Sequence, residues 1–408
     1  MYKSVTFVLL SAIFASGCSL AEEIEIPEHL REVENLTVYP ADVKPVYSIN
    51  FEREAGFGDT EEVIFGRVGS LAVDGSGRVF IADGSERTIH VFHPDGNFLT
   101  SIGREGSGPG EFQNISGMKI QSGQLFVHDS RLQRIVVYSL SDLFADSGSA
   151  ATSAYSYTVE LTPENWRHIE DSAGFSSTPS RFFFLGDESI LTGFSKMYTP
   201  EERYLRYYLL DHEGRIISDR ILEQRDSDMY TTMIDGGSYV LRLPFGRKPL
   251  IAASDEGRIY AAYSDEFLVK KYNPDSGYER AIYYPYDSGV VNRRDVMSRI
   301  GEDNARILRD AEFPERWPVL EEMLIDDENQ LWIATITDDD EQYEWKVLDQ
   351  YGELLAQFQW PGNRLRPFYQ SEEVEKIQTI RDGYLYTRGT DEMGVASIVR
   401  YRIEMEEK

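Results

Sequence analysis

The sequence of 408 residues predicts an all-β fold, a six-bladed β-propeller, and three observations lead to this prediction. Apolar and polar residues alternate in short runs, as they do in half-buried strands. A pair of such runs around a tight turn occurs six times along the chain. The clearest copy has four strands, and a four-stranded unit that cannot cover both of its own faces is typical of a propeller, whose blades share one core.

The clearest unit lies near the beginning of the chain. Leu71–Asp83 predicts two strands around a turn, Thr88–His93 predicts the third strand, and Phe98–Ile102 predicts the fourth after the turn Pro94–Asn97. The first turn of each of the six units is marked, in chain order, by Gly77, Gly123, Asp187, Gly257, Asn329 and Gly383. The uneven spacing of these markers indicates a constant unit with connections of variable length.

A glycine-rich segment, Ile102–Phe112 (IGREGSGPGEF), follows the first unit, and the strands Leu125–Asp129 and Arg134–Tyr138 come after it. This series resembles the NHL repeat, which combines a GxGxGEF segment, an apolar strand ending in aspartate and an Arg-Ile-x-Val-Phe strand. The whole chain is similar to bacterial six-bladed propeller lipoproteins that have no assigned activity. The resemblance implies a fold and no particular reaction.

The same glycines have nearly the spacing of a nucleotide-binding loop. A phosphate cradle needs a helix directly after the glycines, because the free N–H groups and the dipole of its first turn bind the anion. Here a predicted strand follows Gln113–Gly117. We therefore interpret the glycines as the means of turning the backbone tightly between two blades.

The closure of the ring follows from an imbalance between the two ends of the chain. The last unit supplies only three strands, whereas Val46–Glu52 is an extra strand before the first unit. Pairing the two would remove an exposed sheet edge, so the last blade is predicted to be closed by the N-terminal strand.

One segment departs from the strand pattern. Val296, Ile300, Ile307 and Ala311 follow a 3.6-residue period, which predicts a helix or helical hairpin over residues 292–311, between blades four and five. This insertion is expected either to pack over one face of the propeller or to gate a ligand site.

Residues 1–17 have the pattern of an export signal, with Lys3 before a short apolar run. The run ends in Ala15-Ser16-Gly17-Cys18, which resembles the bacterial lipobox, and Cys18 is the only cysteine in the chain. We expect Cys18 to be lipidated, residues 18–40 to form a tether and residues 41–408 to form the propeller. Ser19 resembles the sorting residue of outer-membrane lipoproteins, on the periplasmic side or at the cell surface. The alternative is an ordinary secretory signal that contains a cysteine.

The formal net charge of −29 excludes nucleic acid as a plausible partner and leaves the lipid anchor as the expected contact with the membrane. The acidic runs Asp326–Glu328 and Asp338–Glu341 are interpreted as solvated turns. A calcium loop is the alternative, but neither run alternates as Asp-x-Asp-x-Asp-Gly. The sequence therefore predicts no cofactor, with calcium as an unsupported possibility.

The connections that lead into the innermost strands carry an excess of basic residues within this acidic chain. These connections hold Arg104, Arg181, Arg242, Arg247, Lys248, Arg316, Arg364 and Arg366 against Glu105, Glu111, Glu312 and Glu315. The hypothesis is a funnel at the channel mouth in which Arg104, Arg181, Arg247, Arg316 and Arg364 bind an anionic ligand. The alternative is that each arginine pairs with a carboxylate or carbonyl nearby.

An enzyme is the second hypothesis, since six-bladed propellers include metal-dependent hydrolases, lactonases and lyases with the site at the central channel. None of the six histidines has metal-ligand spacing, and no metal site is predicted. His128 and Asp129 are the remaining catalytic candidates, although such a pair more commonly caps a turn. The sequence thus favours a lipid-anchored binding or scaffold protein that recognises an anionic small molecule, a glycan or an envelope protein.

Overall fold

The fold was analysed in a computed structural model of the chain. The structure describes residues 26–58, 63–145, 155–166, 175–186, 189–197, 203–234, 236–243, 245–364, 375–390 and 394–408. Within these residues, no helix has both the length and the apolar character needed to cross a bilayer.

The N-terminal part and the first two blades are almost entirely strand. A short 3-10 helix (Glu28–Leu30) precedes β1 (Leu36–Val38) and β2 (Tyr47–Phe57). Blade 1 consists of β3 (Val68–Val73), β4 (Val79–Asp83), β5 (Thr88–Phe92) and β6 (Phe98–Ile102). Blade 2 consists of β7 (Ile115–Gln121), β8 (Gln124–Asp129), β9 (Arg134–Ser139) and β10 (Tyr155–Glu160), with the helical turn α1 (Leu140–Leu143) after β9.

The next two blades are separated by a hairpin. A second 3-10 helix (Pro163–Trp166) precedes blade 3, which consists of β11 (Phe175–Phe184), β12 (Ile190–Met197), β13 (Arg203–Leu210) and β14 (Leu222–Arg225). The hairpin consists of β15 (Met229–Ile234) and β16 (Gly237–Arg242). Blade 4 consists of β17 (Pro249–Ala253), β18 (Ile259–Tyr263), β19 (Leu268–Asn273) and β20 (Gly277–Tyr283).

The last part of the chain completes the ring. Two short helices, α2 (Arg293–Arg299) and α3 (Glu302–Ile307), lie between blades 4 and 5. Blade 5 consists of β21 (Leu320–Ile325), β22 (Leu331–Ile336), β23 (Gln342–Leu348) and β24 (Leu354–Pro361). Blade 6 consists of β25 (Lys376–Arg381), β26 (Tyr384–Thr390) and β27 (Ala396–Glu407).

The first strand of each blade surrounds a central channel. Each of these first strands contacts the first strand of the next blade, and β25 of blade 6 contacts β3 of blade 1, which closes the ring. In chain order the first strands are β3, β7, β11, β17, β21 and β25. Apolar side chains fill the space between neighbouring blades, as where Phe80 and Val91 of blade 1 join Leu125 and Val127 of blade 2. Their near-complete burial supplies the hydrophobic stabilisation that no single blade could supply. The six-bladed all-β prediction is confirmed.

The predicted closure of the last blade by an N-terminal strand is also confirmed. β2 pairs antiparallel with β27, in a register that runs from Tyr47 opposite Glu407 to Phe57 opposite Ile398. The strand is longer than the predicted Val46–Glu52, because pairing continues past an irregularity between Arg53 and Ala55. Phe57 at its end is fully buried between blades 6 and 1.

The N-terminal segment holds a second blade as well. β1 pairs in parallel with β20 and so becomes a fifth strand of blade 4. Tyr39, just after β1, stacks on Tyr284 with ring centroids 4.9 Å apart. Part of the segment interpreted as a tether, residues 18–40, therefore packs against the propeller, while residues 18–25 lie outside the described residues.

The helical segment predicted at residues 292–311 holds α2 and α3, which Gly301 separates with a φ of 82°. Its buried side chains, including Val296 and Leu308, form an apolar cluster with Leu243 and Phe245 from the connection between blades 3 and 4. Phe245 also packs against Phe313, with ring centroids 4.6 Å apart. The two long connections thus pack on each other, which agrees with the packing interpretation of the insertion.

Candidate functional site

The upper face of the propeller is the end at which the connections between blades lead into the innermost strands. Asp129, at the end of β8, is fully buried there. Its carboxylate accepts N–H bonds from Gln113 and Asn114 of the preceding connection, at 2.7 and 3.1 Å, and from Arg131 and Leu132 of its own turn, both at 3.0 Å. The Asp129 side chain therefore joins two segments of the upper face.

Asp83 of blade 1 occupies the corresponding position at the end of β4. Its carboxylate accepts N–H bonds from Gly66 before β3 and from Ser85 in its own turn, at 2.8 and 2.7 Å. The two aspartates thus fix the start of an innermost strand relative to the end of the next strand. This bonding explains why a strand ending in aspartate recurs in the sequence.

A cavity of about 780 Å³ lies in the central channel beside blades 1 to 3. It is lined by the innermost strands of blades 1 to 3, by Ala253 at the end of β17 in blade 4, and by the ends of β8 and β12. The lining residues are Ser70, Ser116, Gly117, Met118, Lys119, His128, Ser130, Pro179, Arg181, Phe182, Phe183, Phe184, Ser195 and Ala253. The wall therefore combines an apolar part from β11 with serines and three nitrogen-bearing side chains. Concave sites of this composition are typical of small-ligand binding.

His128 contributes an imidazole to this cavity. Its Nδ1 lies 2.7 Å from the Oγ of Ser116, and its ring contacts that of Phe182 with centroids 4.2 Å apart. Burial lowers the pKa of His128 to about 4, although Asp129 opposes the shift. The imidazole is therefore neutral at neutral pH.

Arg181 contributes a guanidinium to the same cavity. It lies on β11 opposite Gly193, directly after a register shift between Pro179 and Arg181. Among the residues that the structure describes, none forms an ion pair or hydrogen bond with Arg181. With respect to the described part of the chain, its positive charge is therefore available to an anion that enters the cavity.

The opposite wall of the channel carries charges that are already paired. Lys248, just before β17, lies 2.6 Å from Glu321 of β21. Lys376 of β25 lies 3.2 Å from Glu322 of β21. Burial raises the pKa of Glu322, and Lys376 opposes this shift. These pairs connect the innermost strands of blades 4, 5 and 6.

The lower end of the channel is crossed by a three-residue bridge. The carboxylate of Asp255, after β17, lies 2.7 Å from Nζ of Lys119 on β7 and 3.3 Å from Nη1 of Arg381 on β25. Burial alone would raise the pKa of Asp255, but the two cations hold it below its usual value. We call these three residues the channel floor, because they join blades 2, 4 and 6 across the axis.

The other four arginines of the hypothetical funnel are paired with neighbouring groups. Arg104 donates two hydrogen bonds to Glu111, at 2.8 and 2.9 Å, and 78% of its side chain is exposed. Arg247 lies 2.8 Å from Asp228. Arg316 pairs with Asp287, and the guanidinium of Arg364 bonds the carbonyls of Thr337 and Asp338 while it lies over the ring of Trp317. The structure therefore brings only Arg181 of the five to the cavity.

The remaining sequence candidates have other positions. Lys248 belongs to the channel ion pair with Glu321, and Arg242 ends β16 opposite Met229. Arg366 and Cys18 lie outside the described residues. The described residues hold no cluster of His, Cys, Asp or Glu that could bind a metal ion. The metal-dependent enzyme stays a hypothesis.

The glycine-rich segment is followed directly by a strand. Gly103 and Gly110 adopt φ values of 77° and 72°, and β7 begins at Ile115. A side chain at Gly103 would place its Cβ 2.3 Å from the ring of Phe112, so the close approach requires glycine. The segment therefore makes a tight turn and lacks the helix of a phosphate cradle.

Ser116, Lys119 and Phe182 line the cavity but are missing from the sequence candidates. They lie within innermost strands, whereas the basic residues of the funnel hypothesis lie in the connections before those strands. A detectable signal was the presence of Ser116 and Lys119 among the apolar residues Ile115, Met118 and Ile120 of one strand. A polar residue on an innermost strand can contact the channel.

Comparisons with known proteins concern the fold. Residues 59–217 match the model of a family described as 6-bladed beta-propeller, a stretch that runs through blades 1 and 2 and into blade 3. No curated protein matches the sequence. A Bacteroides fragilis protein described as a candidate exported protein is 13% identical, with 90% of this chain and 99% of that chain covered and a TM-score of 0.50.

Two further solved structures are similar at a lower level. A member of the duf4221 family from Bacteroides vulgatus is 9% identical, with 88% of this chain and 99% of that chain covered and a TM-score of 0.47. The PQQ-bound aldose sugar dehydrogenase of Streptomyces coelicolor is 11% identical, with 89% and 100% covered and a TM-score of 0.44. The family match over residues 59–217 confirms the six-bladed propeller, whereas the finer resemblance to NHL repeats stays a prediction.

Proposed function

We propose that the protein is a lipid-anchored binding protein of the bacterial cell envelope, and that its central cavity binds a small organic anion with an apolar part. One observation carries the proposal: Arg181 lines the cavity and, in the described part of the chain, has no carboxylate partner. A guanidinium offers a planar pair of donors that matches a carboxylate. The neighbouring Phe182 and Phe183 supply an apolar surface for the rest of the ligand.

The neutral state of the nearby imidazole favours the same ligand. At pH 7 the imidazole of His128 is neutral and adds no second positive charge to the cavity. It can still form a hydrogen bond with the ligand. Lys119 is already paired with Asp255 in the channel floor. Arg181 is therefore the residue whose charge selects the ligand.

Benzoate is a suitable first probe, because it joins a carboxylate to an aromatic ring, and glucuronate tests a carboxylated sugar instead. Binding is measured by isothermal titration calorimetry on the folded full chain without its signal peptide. Arg181→Gln should weaken binding about 10- to 100-fold, which is the range expected for a charge-assisted hydrogen bond. Arg306→Gln removes an exposed arginine from α3 and should leave binding unchanged.

Two results would show that the binding proposal is wrong. One is the absence of binding of both probes to the wild-type protein. The other is an equal affinity of the wild-type protein and Arg181→Gln for the probe that binds. Benzyl alcohol is the neutral counterpart of benzoate. It should bind the wild-type protein more weakly than benzoate does, and its affinity should be the same for the wild-type protein and for Arg181→Gln.

Lipid attachment at Cys18 is tested in cells. Cys18→Ser should remove the incorporation of labelled palmitate and move the protein from the membrane fraction to the soluble fraction, since several acyl chains are needed for stable anchoring. Digestion of whole cells with protease then distinguishes surface exposure from a periplasmic position. A Cys18→Ser protein that stays in the membrane fraction would contradict the lipid anchor.

A further inference from the structure

We propose that Ser116 and His128 act as a nucleophile and general base, and that the cavity hydrolyses esters whose acyl part carries an anionic group. The proposal rests on the proposed function for the binding of that anion. The two side chains line the same cavity as Arg181, and the Oγ of Ser116 lies 2.7 Å from Nδ1 of His128. This distance is within the range required of a nucleophile and its base.

The protonation state of His128 suits a base. The imidazole is neutral at pH 7, and the tautomer with its proton on Nε2 allows the hydroxyl of Ser116 to donate to Nδ1. The same hydroxyl lies 3.3 Å from the carbonyl oxygen of His128, which is the longer and weaker of the two contacts. Phe182 packs against the imidazole and limits its rotation.

A comparison within the chain shows that the serine–histidine contact alone does not make a site. His90 and Ser101, on β5 and β6 of blade 1, lie 3.0 Å apart through Nδ1 and Oγ. This pair does not line the channel cavity, and the ring of His90 packs against Phe65 and Phe98. Among the described residues, the pair on blade 2 combines the contact with the channel cavity and with Arg181, a cation that has no described partner. The pair on blade 1 therefore provides the matched control.

The reaction is a two-step acyl transfer. The oxygen of Ser116 attacks the ester carbonyl carbon while its proton passes to Nδ1 of His128. The bond from the carbonyl carbon to the leaving oxygen breaks, and the imidazolium returns the proton to the leaving alkoxide, which departs as an alcohol. Water then attacks the acyl-serine, gives one proton to His128 and releases the acid, and His128 returns the proton to Ser116.

The substrate class follows from the position of Arg181. An ester of a dicarboxylic acid presents a free carboxylate to the guanidinium and its ester carbonyl to Ser116. Mono-4-nitrophenyl succinate has this form, and 4-nitrophenyl butyrate is its neutral counterpart of the same chain length. We expect kcat/KM to favour the anionic ester by about 10-fold or more, and Arg181→Gln to remove this preference.

A serine-directed fluorophosphonate probe tests the nucleophile directly. The wild-type protein should be labelled at one site, identified by mass spectrometry as Ser116. Ser116→Ala should lose both the label and about 10²-fold or more of kcat/KM for the succinate ester, whereas Ser101→Ala should keep both. His128→Asn places an amide nitrogen or oxygen near the position of Nδ1 but cannot accept a proton, so it should also lose turnover. Circular dichroism and melting temperature establish that each variant is folded.

The pH profile separates a base from a merely structural histidine. The rate should fall as the pH drops through about 4, because protonated His128 cannot accept the serine proton, and it should be flat above about pH 6. A rate that does not depend on pH in this range would overturn the proposal. So would labelling that persists in Ser116→Ala, or a wild-type protein that is not labelled and does not hydrolyse the ester.

The two proposals fail separately. If benzoate or glucuronate binds and depends on Arg181 while no labelling or hydrolysis occurs, the catalytic pair is wrong and the binding function stands. If Ser116 is labelled and the neutral ester is hydrolysed without any dependence on Arg181, the anionic substrate class is wrong.

Discussion

Neighbouring residues at the end of β8 have different tasks, because successive side chains of a strand point to opposite sides. His128 faces the channel, where it contacts Ser116. The buried carboxylate of Asp129 accepts four backbone N–H bonds on the upper face. Since its oxygens are occupied in this way, Asp129 supports the position of the strand end that carries His128.

The role of Asp129 leads to a stability prediction. Asp129→Ala leaves four N–H groups without their acceptor and should lower the free energy of unfolding by about 2–4 kcal/mol. Asp129→Asn keeps one amide oxygen as an acceptor, so its loss should be smaller. Urea unfolding at pH 7, followed by circular dichroism, measures both. Equal losses for the two variants would contradict the hydrogen-bonding role.

At the level of single residues, the sequence predicted some of the residues that line the cavity but not the contacts between side chains. It identified Arg181 and His128, whose side chains line the cavity. It could not show that Arg104 folds back on Glu111, since a pairing within an irregular loop leaves no periodic signal. It also omitted Ser116, whose proximity to His128 depends on the register of β7 against β8.

The N-terminal segment acts on blades that are far away in sequence. β1 extends blade 4, and β2 supplies the outermost strand of blade 6. Between them, the N–H of Val46 bonds the carbonyl of Leu354 in blade 5. The segment therefore fastens three consecutive blades along the rim of the propeller.

Deletion of residues 41–56 should unfold or aggregate the protein, because it exposes the edge of β27 and opens the ring. A shorter truncation that removes residues 26–40 keeps β2 and serves as the control. That variant should stay folded with a lower melting temperature, since it loses β1 and the stacking of Tyr39 on Tyr284. Size-exclusion chromatography and circular dichroism compare the two. A soluble, fully β-folded protein without residues 41–56 would disprove the closure argument.

The strands and turns were predictable where residues close together in the sequence mark them. The turn after the innermost strand is marked by a residue with positive φ in five of the six blades, as at Gly77, Gly257 and Asn329, whereas the marker of blade 3, Asp187, lies outside the described residues. The closing strand followed from counting strands at the two ends. β1 was not predicted, because three residues with few apolar neighbours resemble a linker until the edge of blade 4 is known.

At the level of the whole molecule, the channel has two different ends. On the upper face, the connections next to blades 4 and 5 form the apolar cluster of the helical insertion. The cavity lies beside blades 1 to 3. The lower end is crossed by the floor of Lys119, Asp255 and Arg381. A ligand is therefore expected to reach the cavity from the upper face.

The channel floor predicts a pH dependence of stability. Lys119 and Arg381 hold the pKa of Asp255 below its usual value of 3.8 although burial opposes them. A carboxylate whose pKa is lowered by folding stabilises the folded state above its unfolded pKa, and this contribution disappears as the pH falls through the folded value. Asp255 should thus stabilise the protein fully at pH 7, and this stabilisation should be lost below about pH 4.

Asp255→Asn isolates this effect, because the amide keeps the size of the side chain and removes its charge. At pH 7 the variant should have a lower urea midpoint than the wild-type protein, since two cations then face each other across the axis without their anion. The difference between the two midpoints should shrink as the pH is lowered from 5 to 3. Asp275→Asn, in the exposed turn between β19 and β20, is the control and should show no such trend. A difference for Asp255→Asn that stays constant from pH 7 to pH 3 would mean that the floor stabilises the ring through packing, without a contribution from its charges.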